Sequence, residues 1–301
     1  TYTVQIRDAA NTGCVVTLGL ITITEPAAIP ITGTVKYYSS AQTVMNNVTI
    51  DLKQGGTVIH SATTNGSGVY TFANVCPGTY DVEFTTIKPT GGINATDAAL
   101  VNAWPLSYYA IERVQFLSGD VTGAPAPGGR DNKVLSGDAG RIQQYFLQQG
   151  NPMFTNVPKW SFWSTGQMVS AQNPTPLTLT ITVPPAGAPI TQNFWGMVTG
   201  DFGQSFVPGG AKDESESLTL EYANTIEVES STNFELPIRT AMDMQVGAVS
   251  LVLNYPSDQL EVTGVYLTDN PEIPVDYTVY GDELRIAWYA LNPVNLSTGD
   301  A

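Results

Sequence analysis

The feature that most restricts this chain is a two-residue alternation of apolar and polar side chains, repeated in short runs that Gly, Pro and Asn interrupt. Neighbouring side chains on an extended strand point to opposite faces, so each run buries one face and wets the other. ITGTVKYY (31–38), VTIDLKQ (48–54), TVIHSATT (57–64), GVYTFANV (68–75) and TYDVEF (79–84) all have this form. Tyr70 and Phe72 share a face in the fourth run, and Tyr80, Val82 and Phe84 do so in the fifth. Between them, Asn65-Gly66-Ser67-Gly68 supplies residues that tolerate positive φ. Many short strands separated by turn signals fold as sheets packed face to face. The expected fold class is therefore mainly β, in tandem β-sandwich modules.

A chain of 301 residues has room for two or three such modules. It carries 27 acidic against 12 basic residues, a net charge of −15, which leaves no basic face for phosphates and argues against nucleic acid as partner. The same charge suits an exported protein, a calcium binder, or simple solubility. No apolar run approaches the ~18 residues of a membrane span. Thr1 opens directly into the strand-like TYTVQIRD, with no signal-peptide pattern, so the sequence is expected to begin inside a domain. Cys14 and Cys76 are too few for a disulfide scaffold; a bridge between domains, separate partners, or none are all open. His60 is the only histidine, and no GxSxG or HExxH pattern occurs, so no enzyme active site is expected.

The middle of the chain changes period. TDAALVNAW (96–104), YYAIERVQFL (108–117) and GDAGRIQQYFLQQ (137–149) have helical spacing, with Thr96 or Asp97 and Ser136 as cap candidates. Strands then return in KWSFWS (159–164), LTLTITV (177–183) and ITQNFWGMVT (190–199). Trp160, Phe162 and Trp163, with Trp195 and Trp104, form either a sugar-stacking platform or, more commonly for such positions, core. The polar GGAKDESES (209–217) reads as a linker, and a last β unit runs from Leu218.

Only the helical section has a pattern that points to chemistry. A calcium loop needs oxygens at alternating positions of a tight turn and a carboxylate at the head of the next helix. In SGDVTG…RDNKVLSGDAGRIQQYF, Asp120 and Thr122 supply the first positions. Asp131 follows an insertion, APAPGGR, and Asp138 closes the set. The bland alternative is that Asp138 is only a helix cap, favoured by about 0.3–1 kcal/mol of dipole interaction.

Several stretches resemble known families. YTVQIRDAANTGC followed by ITITEP (1–25) resembles the closing strands of the Ig-like repeat of SprB-type gliding adhesins, with 26–30 as a linker. TTNGSGVYTFANVCPGTYDVEF resembles the carboxypeptidase-regulatory-like, or CNA-B-like, sandwich, implying such a module over 31–86. The helices (87–150) resemble dockerins, more closely the dockerin-like module of type IX-secreting bacteria, and 151–208 reads as its β extension. That resemblance implies calcium at Asp120, Thr122, Asp131 and Asp138. It implies a second, weaker site at Asn94 and Asp97 in KPTGGINATDAAL, where Thr86, Lys88 and Thr90 replace the earlier ligands. A third lies at Asp201 and Ser205 in GDFGQS, where Gly203 removes a side-chain oxygen and a turn fixed by Asp201 is the simpler reading. NFELPIRTAMDMQVGAVSLVLNYPSDQLEVTGVYL resembles a cohesin over 218–301, with Phe234, Leu236 and Ile238 alternating in a first strand and the final strands expected beyond Ala301.

Together these resemblances imply a structural or adhesive segment of a secreted bacterial surface protein, extracellular or on the outer cell surface, stabilised by calcium. Its partners would be other protein modules, through dockerin–cohesin contacts that can link copies into fibres, or a surface glycan. The alternative is a non-catalytic accessory region of a secreted hydrolase or a carbohydrate-binding protein.

Overall fold

The computed structural model describes residues 5–7, 15–17, 27–123, 129–148, 157–209, 227–229, 232–267 and 270–299. At the start, β1 (Gln5–Arg7) and β2 (Val15–Thr17) pair antiparallel. Cys14, Pro26 of the proposed linker at 26–30, and most of the linker at 209–217 lie outside the described residues, and Ile29 and Pro30 of the first linker already belong to a strand.

The alternating runs become β3 (Ile29–Tyr37), β4 (Val48–Gln54), β5 (Thr57–Thr63), β6 (Val69–Val75) and β7 (Gly78–Thr86). Every second residue of β3 is buried, from Ile29 through Ile31 and Val35 to Tyr37. The turn between β5 and β6 closes as its residues demand: Asn65 Oδ1 accepts from the amides of Ser67 and Val69, and Gly68 has φ +72°. Next come α1 (Ala95–Ser107), the short β8 (Ile111–Glu112), α2 (Arg113–Gly119) and α3 (Ser136–Leu147). They are followed by β9 (Trp160–Ser164), β10 (Met168–Val169), β11 (Thr180–Val183), β12 (Ile190–Thr191) and β13 (Phe194–Val198).

Pairing joins strands from both sides of the helices. β11 adds to the edge of β7 to give the sheet β11-β7-β4-β5. In the facing sheet β6 lies on one edge of β3, and β12 and β13 run parallel to β3 on the other, with β9 beyond β13. The two ranges that sequence reading set apart, 31–86 and 151–208, thus share both sheets, and the helices are inserted within one sandwich. Only long-range pairing reveals this, because each strand has the same local pattern whichever neighbour it takes. Gly33 permits the close approach: a Cβ there would sit 1.7 Å from the Gln192 carbonyl oxygen. Between the sheets lie Tyr37, Met45, Ile50, Leu52, Tyr70 and Phe194, all fully buried, and Phe84 stacks on Phe162 at 4.5 Å. Truncating a core aliphatic such as Leu52 to Ala costs about 2–5 kcal/mol.

The helices differ in detail from their sequence reading. Asn94, not Thr96 or Asp97, caps α1, its Oδ1 accepting from the Thr96 amide at 2.8 Å. Leu135 precedes α3, and Asp138 in the first turn accepts its amide, so Ser136 is not the cap. YYAIERVQFL is helical only from Arg113, because Tyr108 turns left-handed (φ +43°) and Ile111–Glu112 pair with β10.

The C-terminal region contains β14 (Met244–Asn254), β15 (Tyr266–Leu267), β16 (Asn270–Pro274), β17 (Asp276–Tyr280) and β18 (Glu283–Leu296). β14, β18 and β17 form one sheet, in which Val249, Leu251, Leu253 and Tyr255 pack against Val275, Leu284, Ile286 and Trp288. NFELPIR forms no strand: Phe234 and Leu236 are exposed, and Pro237 withholds an amide from any ladder. This sheet rests on the helices. Gln143 Nε2 donates to the Ala287 carbonyl at 3.0 Å, the Ala95 amide to Ser250 Oγ at 2.8 Å, and Arg285 Nη1 to the Phe146 carbonyl at 2.9 Å. Leu147 packs with Ala95 and Ala287 at the same junction.

Candidate metal centre

Two turns of related sequence meet the heads of two helices. Gly119-Asp120-Val121-Thr122 leaves α2 and faces α3; Gly200-Asp201-Phe202-Gly203 leaves β13 and faces α1. Each helix head carries an aspartate in its first turn. Asp138 Oδ1 accepts the Val121 amide, the Thr122 amide and Thr122 Oγ1 at 2.8–2.9 Å, while Oδ2 accepts the Leu135 amide at 2.8 Å. In the same way Asp97 Oδ1 accepts the Gly203 amide at 2.7 Å and Oδ2 the Asn94 amide at 2.8 Å. Val121 and Phe202, the apolar residue of each turn, sit in one core with Ala98, Val101, Ala139 and Ile142 from the two helices. The turns lie against one another, the Gly200 amide donating to the Ser118 carbonyl at 2.8 Å.

The turns part company at their own aspartates. Asp201 is saturated: Oδ1 accepts the Ser205 amide and hydroxyl at 2.9 and 3.0 Å, and Oδ2 accepts the Phe206 amide at 3.1 Å and a short hydrogen bond from the Tyr37 hydroxyl. Asp120 is fully buried, yet neither of its carboxylate oxygens has a hydrogen-bond partner among the described residues. An unpaired buried carboxylate is costly, so the group holds its proton more tightly or awaits a cation. Burial pushes the Asp120 carboxyl up to about 8. Arg130 opposes that rise, as does the nearby Asn132 amide without reaching hydrogen-bond geometry, and the charges of Asp138 and Asp131 add to it. Burial likewise raises Asp138, against the pull of its four donors. It also raises Asp97 and Asp201, and Asp201 raises Asp97 further.

Two guanidinium groups stand behind the Asp120 turn. Arg130 Nε donates to the carbonyls of Leu117 and Asp120 at 3.0 and 3.1 Å, and Nη2 to Ser161 Oγ and Thr199 Oγ1, tying the turn to β9 and β13. Arg113 is buried over the Trp163 ring at 4.8 Å, with its own pKa lowered to about 10 by burial.

The residues expected to bind calcium are thus placed unevenly. Asp120, Thr122 and Asp138 converge at one turn, and the Asp131 amide donates to the Thr122 carbonyl at 3.2 Å. Asp131 is exposed and its Oδ1 accepts the Lys133 amide at 3.0 Å, while Asn132 takes the left-handed turn at φ +62°. Among the described residues no three His, Cys, Asp or Glu side chains are grouped so as to share a metal. Asp138 spends its oxygens on amides and a hydroxyl, which leaves Asp120 as the open carboxylate. The second and third sets, Asn94–Asp97 and Asp201–Ser205, are one place in space rather than two, closed by hydrogen bonds. Thr86 and Lys88 turn to the sandwich instead, where Lys88 Nζ donates to Asn46 Oδ1 at 2.6 Å. Trp104, Trp160 and Trp163 are buried in core, so they present no stacking face. Tyr37, Arg113 and Arg130 carried no local signal in the sequence; their roles depend on contacts far along the chain.

Residues 38–102 match the family of SdrD B-like domains, an Ig-like, CNA-B-type repeat of surface proteins. The match runs from the end of β3 through β7 into α1. No curated protein matches the chain. The Ig-like, CNA-B-type character expected for the first sandwich strands therefore holds, in a mainly β structure with three helices among the described residues. No described helix is long and apolar enough to cross a membrane.

Proposed function

We propose that this chain is a non-catalytic structural segment of an extracellular or cell-surface protein, and that a calcium ion stabilises it at the Asp120 turn. The observation that carries the structural part is the SdrD B-like match, since such domains occur in cell-surface proteins. The observation that supports calcium is the buried Asp120 carboxylate, which has no hydrogen-bond partner among the described residues. Asp120, with Thr122 and Asp131, would hold the ion, and Asp138 would fix the turn through the amides of Val121 and Thr122. Bound calcium would add, directly at the carboxylate, positive charge beyond that of Arg130.

The dockerin-like reading of the helices and the cohesin-like reading of the last sheet extend the proposal. The two regions touch within one chain through Gln143–Ala287 and Arg285–Phe146, which favours a stiff segment. Fibres would form where the same contact is made between copies. The test is thermal unfolding with calcium and with chelator, joined to light scattering across concentration. A calcium-dependent rise in midpoint, absent in Asp120→Asn, supports the ion; an unchanged midpoint removes it. Monomers at every concentration remove the fibre.

A further inference from the structure

The two related turns differ in how their aspartates are met: Ser205 and Phe206 bond Asp201 from its own turn, and Tyr37 reaches it from across the sandwich. Tyr37 ends β3, fully buried, its ring edge-on to Trp160 and Phe206 at 6.0 and 5.7 Å. Its hydroxyl donates to Asp201 Oδ2 and accepts the Val198 amide at 3.2 Å. Among the described residues nothing equivalent reaches Asp120, whose two oxygens are unpartnered there and fully buried. Arg130, whose charge opposes the rise at Asp120, directs Nε and Nη2 to carbonyls and hydroxyls instead. A hydroxyl proton and a metal ion answer the same need of a buried carboxylate, which is positive charge along its lone pairs.

We propose that Tyr37 sets the cation stoichiometry of this protein. Its hydroxyl closes the Asp201 turn, so the chain takes one divalent ion, at Asp120. Removing that hydroxyl opens a second position at Asp201, beside Asp97, which reaches the same turn through the Gly203 amide. After the change, Oδ1 keeps the Ser205 amide and hydroxyl and Oδ2 keeps only the Phe206 amide at 3.1 Å, which opens one buried position on Oδ2. The expected count rests on the calcium reading of Asp120 for its first ion and is independent of it for the second.

The experiment is calorimetric titration with calcium chloride of the chelator-treated full chain, down to affinities of about 10⁻³ M, the weak end for extracellular calcium modules. Three proteins are compared: wild type, Tyr37→Phe, which retains the ring packing, and Tyr37→Phe with Asp201→Asn. The expected counts are one, two and one. Counts of zero, one and zero would end the Asp120 reading and leave this one standing. An unchanged count in Tyr37→Phe, with an unchanged circular dichroism spectrum, overturns the proposal. So does a second ion that survives Asp201→Asn. Where Tyr37→Phe is unfolded in chelator, refolding by millimolar calcium supports the proposal and failure to refold overturns it.

Discussion

The turn at Asp120 and the turn at Asp201 show one backbone device finished in two ways. Both present a buried aspartate and use their amides to hold an aspartate at the head of a helix. One is completed from within the chain by Tyr37, Ser205 and Phe206. The other leaves its carboxylate without a partner among the described residues. Hydrogen bonds made at folding complete the first turn without a cation, whereas on the calcium proposal the second would make stability a function of what the solvent contains. The lesson is that an acidic turn motif does not itself specify a metal; the neighbours of each oxygen decide.

That contrast can be broken most forcefully at the closed turn. Asp201→Ala orphans the buried hydroxyl of Tyr37 and several amides, with an expected loss of about 3 kcal/mol or more by denaturant unfolding, equal in calcium and in chelator. A loss that calcium repairs would mean that the two turns are not different in kind. The next largest effect is calcium itself: at a thousand-fold excess over its dissociation constant it adds about 4 kcal/mol to wild type and nothing to Asp120→Ala. In chelator the order reverses. Asp120→Asn should then match or exceed wild type in stability, because it removes a charge that the protein buries without a partner. A clear destabilisation there would show that Arg130 and Arg113 already balance Asp120.

The pH dependence sharpens the comparison further. Asp120 has its folded pKa raised to about 8, and Asp97, Asp138 and Asp201 move in the same direction. A raised carboxyl pKa means the folded state holds a proton that the unfolded state has released. That stability is fully present below the unfolded carboxylate value and is lost as pH rises through the folded one. Chelated protein should therefore weaken between about pH 4 and pH 8. Saturating calcium should flatten the upper part of that slope in wild type but not in Asp120→Asn. The smallest effect is expected from Asp131→Ala, whose side chain is exposed: a few-fold change in calcium affinity with little change in chelated stability.

Much of the sandwich could be read in advance, because alternation is local: β3, β4, β6 and β7 lie where Ile31, Ile50, Phe72 and Tyr80 point to one side. The helices showed through Ala98–Val101 and Ala139–Ile142 spacing. What could not be read was pairing. Nothing in FWGMV says that it lies beside β3, or that KWSFWS shares a core with Phe84. The site had the same limit. Asp120, Asp138, Asp97 and Asp201 were legible as acidic positions in turns, but the merging of Asp97 with Asp201 required the closure of the sandwich that carries the second turn. NFELPIR misled because Phe234, Leu236 and Ile238 alternate as a strand would, while Pro237 withholds an amide and the segment takes no strand conformation.

The parallel placement of β3 beside β12 and β13 has a mechanical consequence. The chain enters the sandwich through β3 and leaves it after β13, so the entry of one strand and the exit of the other lie at opposite ends of the same seam. Tension along the chain would draw the two strands past each other lengthwise. The contacts from Ile31–Ile190 to Tyr37–Gly196, with the Thr34–Asn193 side-chain bonds between them, would then be strained together rather than opened one after another. We expect single-molecule pulling from the two ends of the sandwich to meet one high rupture force for this seam, reduced when Asn193→Ala removes its central clasp; a gradual opening at low force would refute that expectation. In such a seam the helices and the Asp120 turn, which lie between β3 and β13 in the chain, stay shielded from the pull until the seam gives way.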